Sequence, residues 1–227
     1  MARARVGLML MTIVTRCCMR PAYLAANIQS LKRQTRRGFE QIFIVDKRRT
    51  GIKLANESLY RNKNRIDGQY VYILDDDCEV INDQFIELFE KFIDKNSEPD
   101  IVMVKSLRPR GHPSPQRIFP HYRIWGKRPE FETTNGLCYV VKARLWKNHI
   151  SEFGRASSGD WWFLSSMLGI EPRLSWMNEL IAESKQLGRG ELRSFEKCGT
   201  DWFSSVAKSE GLTEINPGDW RFERKKR

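Results

Sequence analysis

The chain has 227 residues, 41% of them hydrophobic, and a formal net charge of +11. That length suits one large domain or two small ones, and the apolar content excludes global disorder. No apolar run approaches the roughly 20 residues that span a bilayer, and the charge excess points to an anionic partner: nucleic acid, an anionic membrane face or a phosphorylated small molecule.

The basic start Met1–Arg5 and the apolar run Val6–Val14 mimic a signal peptide, but Thr15-Arg16-Cys17-Cys18 follows where a small-residue cleavage site belongs. The run reads as a first buried strand, with a cytoplasmic location expected. Pro21 opens a helix carrying Leu24, Ala25, Ile28 and Leu31 at helical spacing. Phe39–Val45 reads as a second strand ending at Asp46, and Gly51–Arg65 as a helix stopped by Asp67-Gly68. Tyr70–Leu74 is a third strand. Asn82 caps an amphipathic helix through Ile93, and another strand covers Asp100–Val104. Strand–helix alternation of this kind predicts an α/β domain, with a Rossmann-like, mostly parallel sheet flanked by helices. Ligands of such sheets bind at the strands' carboxyl ends, where both Asp46 and Asp75-Asp76-Asp77 fall.

Three adjacent carboxylates repel one another and call for a counter-charge. Hard oxygen ligands favour Mg²⁺ or Mn²⁺, and a metal there would clamp a diphosphate. The alternative is a solvated turn that caps the following helix.

Residues 105–130 hold Lys105, Arg108, Arg110, Arg117, Arg123, Lys127 and Arg128 with no acid before Glu130. Five prolines exclude a regular helix. Phe119, Tyr122 and Trp125 interleave the charges, as in surfaces that hold sugars or bases; His112 and His121 read as surface residues. Further on, Leu137–Val141 is expected as a strand, Arg144-Leu145-Trp146 begins a short helix, and Trp161–Leu168 is helical with Asp160 near its amino end. A helix is also expected around Trp202–Lys208, followed by a frayed basic tail, Arg224–Arg227. Five cysteines form no CxxC pair, which argues against zinc or a disulfide framework. No internal repeat and no second domain are evident.

The order of these features resembles the family 2-type GT-A-fold glycosyltransferases over roughly residues 6–170. Arg20-Pro21-Ala22-Tyr23-Leu24 with Ile28–Leu31 and Gln34-Thr35 looks like the family's first helix. Tyr72–Asp77 looks like its DxD strand, and Gly159–Leu164 like the segment carrying the catalytic base. Three departures stand out. Lys47-Arg48-Arg49 follow Asp46 where a second acid is common; Gly159 replaces a glutamate before Asp160; and no histidine follows His149 to serve a metal.

The resemblance implies a single glycosyltransferase domain, with a nucleotide-sugar-binding half over 1–106 and an acceptor-binding half over 107–227. It assigns Asp46, Asp75, Asp76 and Gly136 to the donor, a UDP-sugar above others. Asp77 and Asp75 would hold Mn²⁺ or Mg²⁺, and Asp76 contacts the donor sugar or only supports its loop. Asp160 is the general base of an inverting transfer, although Ser157-Ser158-Gly159-Asp160 also suits a helix cap. Arg123, Trp125 and Trp161 are expected to face the acceptor. Charge and the basic–aromatic segment lean toward a hydroxymethylated DNA base as acceptor. A lipid-linked or cell-envelope glycan, reached by peripheral membrane contact, is the alternative. A non-catalytic nucleic-acid-binding protein would explain the charge but not the aspartates. A nucleotidyltransferase would want a glycine-rich loop after the first strand, and 11–20 contains no glycine.

Overall fold

The computed structural model describes residues 9–46, 52–109, 117–155, 158–185, 201–216 and 219–224. Within them the elements are β1 (Met11–Cys17), α1 (Pro21–Lys32), β2 (Phe39–Val45), α2 (Ile52–Arg61), β3 (Tyr70–Ile73), β4 (Cys78–Val80), α3 (Phe85–Lys95) and β5 (Ile101–Leu107). The second half adds β6 (Ile118–Phe119), β7 (Tyr139–Lys142), α4 (Ala143–His149), α5 (Gly159–Leu168), β8 (Leu174–Ser184), α6 (Trp202–Ser209), β9 (Thr213–Asn216) and β10 (Asp219–Arg224).

All strands join one mixed sheet in the order β4-β8-β5-β7-β3-β1-β2-β10-β9, with β6 on β5. Its centre is parallel: β1 runs alongside both β2 and β3, Met11 lying opposite Phe39 on one side and Tyr70 on the other. β5 and β8 are also parallel. β7 is antiparallel to both β3 and β5, and β10 to β2.

Period-two alternation divides each central strand between two cores. In β3, Tyr70 and Tyr72 enter a core with Phe85, Phe89 and Ile93 of α3, while Val71 and Ile73 enter one with Leu59 of α2, Trp146 of α4 and Phe163 of α5. Helices therefore cover both faces. A third cluster packs α6 and Trp220 of β10 on Leu24 and Ile28 of α1.

Several boundaries move. The first strand starts at Met11 and runs to Cys17, past the end of the apolar run, because Thr15 and Arg16 pair with β2. Asn82 Oδ1 accepts from Gln84 N at 3.0 Å and sets a turn ahead of α3, whose N-cap is Gln84. Residues 105–107 extend β5, and Ile118-Phe119 pair back on it, so the basic segment begins and continues inside the sheet. β4, β8 and the β9–β10 hairpin were not anticipated. The tail beyond Arg224, His112 and Cys198 lie outside the described residues. Cys17, Cys18, Cys78 and Cys138 form no disulfide, and among the described residues no helix is long and apolar enough to cross a membrane.

Candidate active site

Because β1, β2 and β3 are parallel, their carboxyl ends share one rim. Asp46 N donates to Cys17 O at 2.8 Å, and Asp76 N to Arg16 O at 3.1 Å. Cys78 N reaches Asp75 O at 2.9 Å, closing a turn with Asp76 and Asp77 at its centre. The turn is held from beneath by amides. Asn27 of α1 donates to the carbonyls of Asp75 (3.0 Å) and Cys78 (2.8 Å). Gln41 donates to the Asn27 side chain at 2.7 Å and to Thr15 Oγ1 at 2.8 Å. Asn27, Gln41 and Thr15 are fully buried, and these bonds offset part of the cost of burying them, with Gln41 Oε1 left unsatisfied.

The aspartates do have a counter-charge, and it differs from the one expected. Arg16 grips Asp75 with two parallel bonds, Nε to Oδ1 at 2.7 Å and Nη2 to Oδ2 at 2.5 Å. Arg20 donates to Asp76 through Nη2 and to Asp77 Oδ2 at 2.7 Å through Nη1. Cys18 N donates to the second Asp76 oxygen at 2.7 Å. Asp76 is fully buried, so it is not part of a solvated turn. Burial pushes its carboxyl up to about 7, with Arg20 pulling the other way. Burial also raises Asp77, against Arg20. Asp76 thus ties its turn to the β1–α1 connection.

These contacts bear on the fit of a divalent cation. Both Asp75 oxygens and Asp77 Oδ2 already accept guanidinium N–H groups. Among the described residues, no group of three or more His, Cys, Asp or Glu side chains is placed to hold one ion. Asp77 Oδ1 accepts from Cys78 Sγ at 3.5 Å, so the arginines engage three of the four carboxylate oxygens of Asp75 and Asp77.

The second half of the site comes from β7 and α5. Antiparallel pairing with β3 returns the start of β7, and the 3-10 turn Gly136–Cys138 before it, to the same rim. A Cβ on Gly136 would lie 3.7 Å from Asp160 Cβ. Tyr139 OH donates to Asp160 O at 2.9 Å, fixing the start of α5. Asp160 is the second residue of that helix, and its Oδ1 accepts from Trp161 N at 2.9 Å. A carboxylate in a first turn also meets the positive end of the helix dipole. Burial nonetheless raises the Asp160 carboxyl; the Trp161 N–H and Arg16 act downward, and the Asp75 charge adds to the rise.

Arg16 joins the two halves. Besides gripping Asp75, it donates through Nη1 to Asn56 Oδ1 of α2 and stacks on the Phe153 ring at 5.3 Å. Asn56 and Phe153 in turn wall in Gly159. A Cβ there would fall 2.0 Å from Phe153 O and 2.8 Å from Asn56 Nδ2. The missing glutamate before Asp160 is therefore a steric requirement: no side chain fits beneath α5.

The other candidates are placed as follows. Asp46 is half-buried at the end of β2. Trp161 is half-buried, edge-on to the exposed Phe131 at 5.9 Å. Trp125 packs edge-on against Trp176 at 4.8 Å, with Lys105 over its ring. Arg123 lies on an exposed 3-10 turn and bonds Tyr122 OH at 3.3 Å. Trp162 carries Arg155 over its ring. His121 stacks on Tyr122, and His149 bonds Ser166, so both have structural partners. Arg16, Asn27, Gln41 and Asn56 were missed. Their signal was polarity at positions where strand or helix periodicity demands burial.

A mixed sheet with a parallel centre, two carboxylate-bearing strand ends on one rim and a helix-borne aspartate facing them is the GT-A glycosyltransferase fold. Among solved structures, the chain is similar to those of S. aureus TarS. Against the crystal structure of TarS 1–349 in complex with UDP-GlcNAc, identity is 15% and the TM-score 0.58, covering 89% of this chain and 65% of that one. The complex with UDP gives 15% and 0.58, with 64% of that chain covered. A further TarS crystal structure gives 13% and 0.59, with 39% covered. The chain thus spans just under two-thirds of the shorter TarS chains. No family model matches the sequence, and no curated protein does.

Proposed function

We propose that the chain is an inverting glycosyltransferase that moves a sugar from a UDP-sugar to an acceptor hydroxyl. The observation that carries this reading is the link Arg16 makes across the rim: it grips Asp75 while contacting Asn56 and Phe153, the residues that wall in Gly159 next to Asp160. The similar TarS structures contain UDP-GlcNAc and UDP, which supports the donor class. The donor diphosphate lies toward Arg16 and Asp75, with Asp46 toward the base or ribose. Asp160 takes the proton from the acceptor hydroxyl as its oxygen attacks the anomeric carbon. The bond from that carbon to the diphosphate breaks opposite, and the diphosphate leaves with the electron pair. Burial keeps Asp160 more basic than a solvated carboxylate, as a general base requires. Gly136 leaves room beside it, and Trp161 with Phe131 offers an aromatic wall to a sugar ring.

For the acceptor we propose a cell-envelope or lipid-linked glycan. The hydroxymethylated DNA base draws no support from the structure, because much of the basic segment is engaged within the fold. Lys105 lies over Trp125, Arg108 over Phe119, Arg117 bonds Arg108 O, and Arg128 bonds Leu168 O at 3.0 Å. The test is transfer from UDP-GlcNAc to glycan and DNA acceptors in parallel. Asp160→Asn is expected to bind UDP-GlcNAc as wild type does and to lose transfer. Full transfer by that variant would refute the base assignment.

A further inference from the structure

We propose that Arg16 and Arg20 stand in for the divalent cation, so that a nucleoside diphosphate binds this rim through Arg16 without Mn²⁺ or Mg²⁺. The inference rests on the glycosyltransferase reading and goes beyond it.

Charge and geometry carry it together. The three aspartates bring three formal negative charges to one turn, and the two arginines return two positive ones. Arg20, with its side chain 13% exposed, accounts for Asp76 and Asp77. Its work is neutralisation: it holds one oxygen of each carboxylate in place. Arg16 is differently situated. Its side chain is 20% exposed, and its three bonds to Asp75 and Asn56 use one N–H each on Nε, Nη1 and Nη2. A guanidinium has five N–H groups, so the second hydrogen of Nη1 and that of Nη2 lie outside those bonds. The planar fork matches phosphate oxygens, and Arg16 is prevented from rotating by Asp75 on one side, Asn56 on another and the Phe153 ring beneath.

A cation fixed this way does what a metal would do for a leaving diphosphate: it offsets charge that grows as the glycosidic bond breaks. The charges of Asp75 and Asp160 both act on it. Asp75, the expected metal ligand, becomes the residue that orients Arg16. A divalent ion bound by Asp75 would compete with its bidentate pairing to Arg16.

The experiment is calorimetric titration of UDP into the full chain, once in excess EDTA and once in millimolar Mn²⁺. The same affinity in both, within about twofold, is expected, together with at least a roughly tenfold loss in Arg16→Lys, which keeps the charge and removes the fork. Far-UV circular dichroism and the unfolding midpoint of Arg16→Lys establish that it is folded. If it is not, the wild-type comparison alone decides. UDP binding that disappears in EDTA and returns with Mn²⁺ would overturn the proposal and leave the glycosyltransferase reading intact. An unchanged affinity in folded Arg16→Lys would also overturn it. Absence of UDP binding under both conditions would refute the glycosyltransferase reading, and this inference with it.

Discussion

Gly159→Ala adds one methyl group at the most crowded backbone position of the candidate site. The new Cβ would sit 2.0 Å from Phe153 O, 2.8 Å from Phe153 Cδ1 and 2.8 Å from Asn56 Nδ2. Non-bonded heavy atoms prefer about 3.5 Å, so the carbonyl contact falls short by about 1.5 Å. The carbonyl is backbone and cannot rotate aside, so α5 or the segment 150–154 must move. Alanine improves helix propensity by at most about 1 kcal/mol over glycine. Overpacking of this depth costs about 3 kcal/mol, the upper end of the usual range. The clash wins, leaving a net loss of about 2 kcal/mol and a midpoint about 4–8 °C lower for a chain of this size. Turnover should fall further than stability does. Asp160 is the next residue, and a misplacement of about 1 Å can cost on the order of a hundredfold in rate. Gly211→Ala is the control. Its φ is +65° and nothing lies within 4 Å of its added Cβ, so it carries only left-handed strain, about 1 kcal/mol, with turnover unchanged. Thermal unfolding by circular dichroism and UDP-GlcNAc turnover would be measured side by side. A Gly159→Ala protein with wild-type midpoint and wild-type rate would refute the steric argument and the placement of α5 with it.

The base assignment has a pH signature. Burial raises the Asp160 carboxyl, and a general base works only when deprotonated. Activity should therefore fall as pH drops through a value above the ordinary carboxylate range, and Asp160→Asn should abolish the pH-dependent rate. At the far edge of the central strands, Glu40 is buried and held by Thr12 at 2.6 Å and Arg221 at 2.8 Å. Arg221→Ala leaves that carboxylate without its cation and should destabilise by about 3–5 kcal/mol, whereas adding Glu40→Gln should restore part of the loss. A midpoint unchanged in Arg221→Ala would show that β10 is not anchored there. Among the described cysteines, burial pushes the thiols of Cys17 and Cys78 well up and that of Cys138 up to about 12. Brief alkylation of the folded protein, read by mass spectrometry, should mark the half-buried Cys18 ahead of these three; equal labelling would contradict their burial.

The alternation of strands and helices through Val104, the helix opened by Pro21 and the helix carrying Asp160 were all legible from the chain, because each depends on local period and local caps. So was the presence of acids at strand ends, and the parallel centre brings them to one rim as α/β topology requires. What local pattern could not carry was pairing at long range. β8 reads as a mixed stretch of apolar and polar residues, and only its neighbours β5 and β4 make it a strand. The β9–β10 hairpin likewise exists through Arg221 and its contact with Glu40, 181 residues apart in sequence. The same limit applied to the aspartates. Their row of charge required a counter-charge, and sequence chemistry alone offered a metal. Arg16 and Arg20 lie some sixty residues away along the chain. Only the parallel register of β1 against β3 brings their guanidinium groups onto Asp75, Asp76 and Asp77. The residues thus determined that a charged rim would form, and the tertiary structure set Arg16 and Arg20 against it.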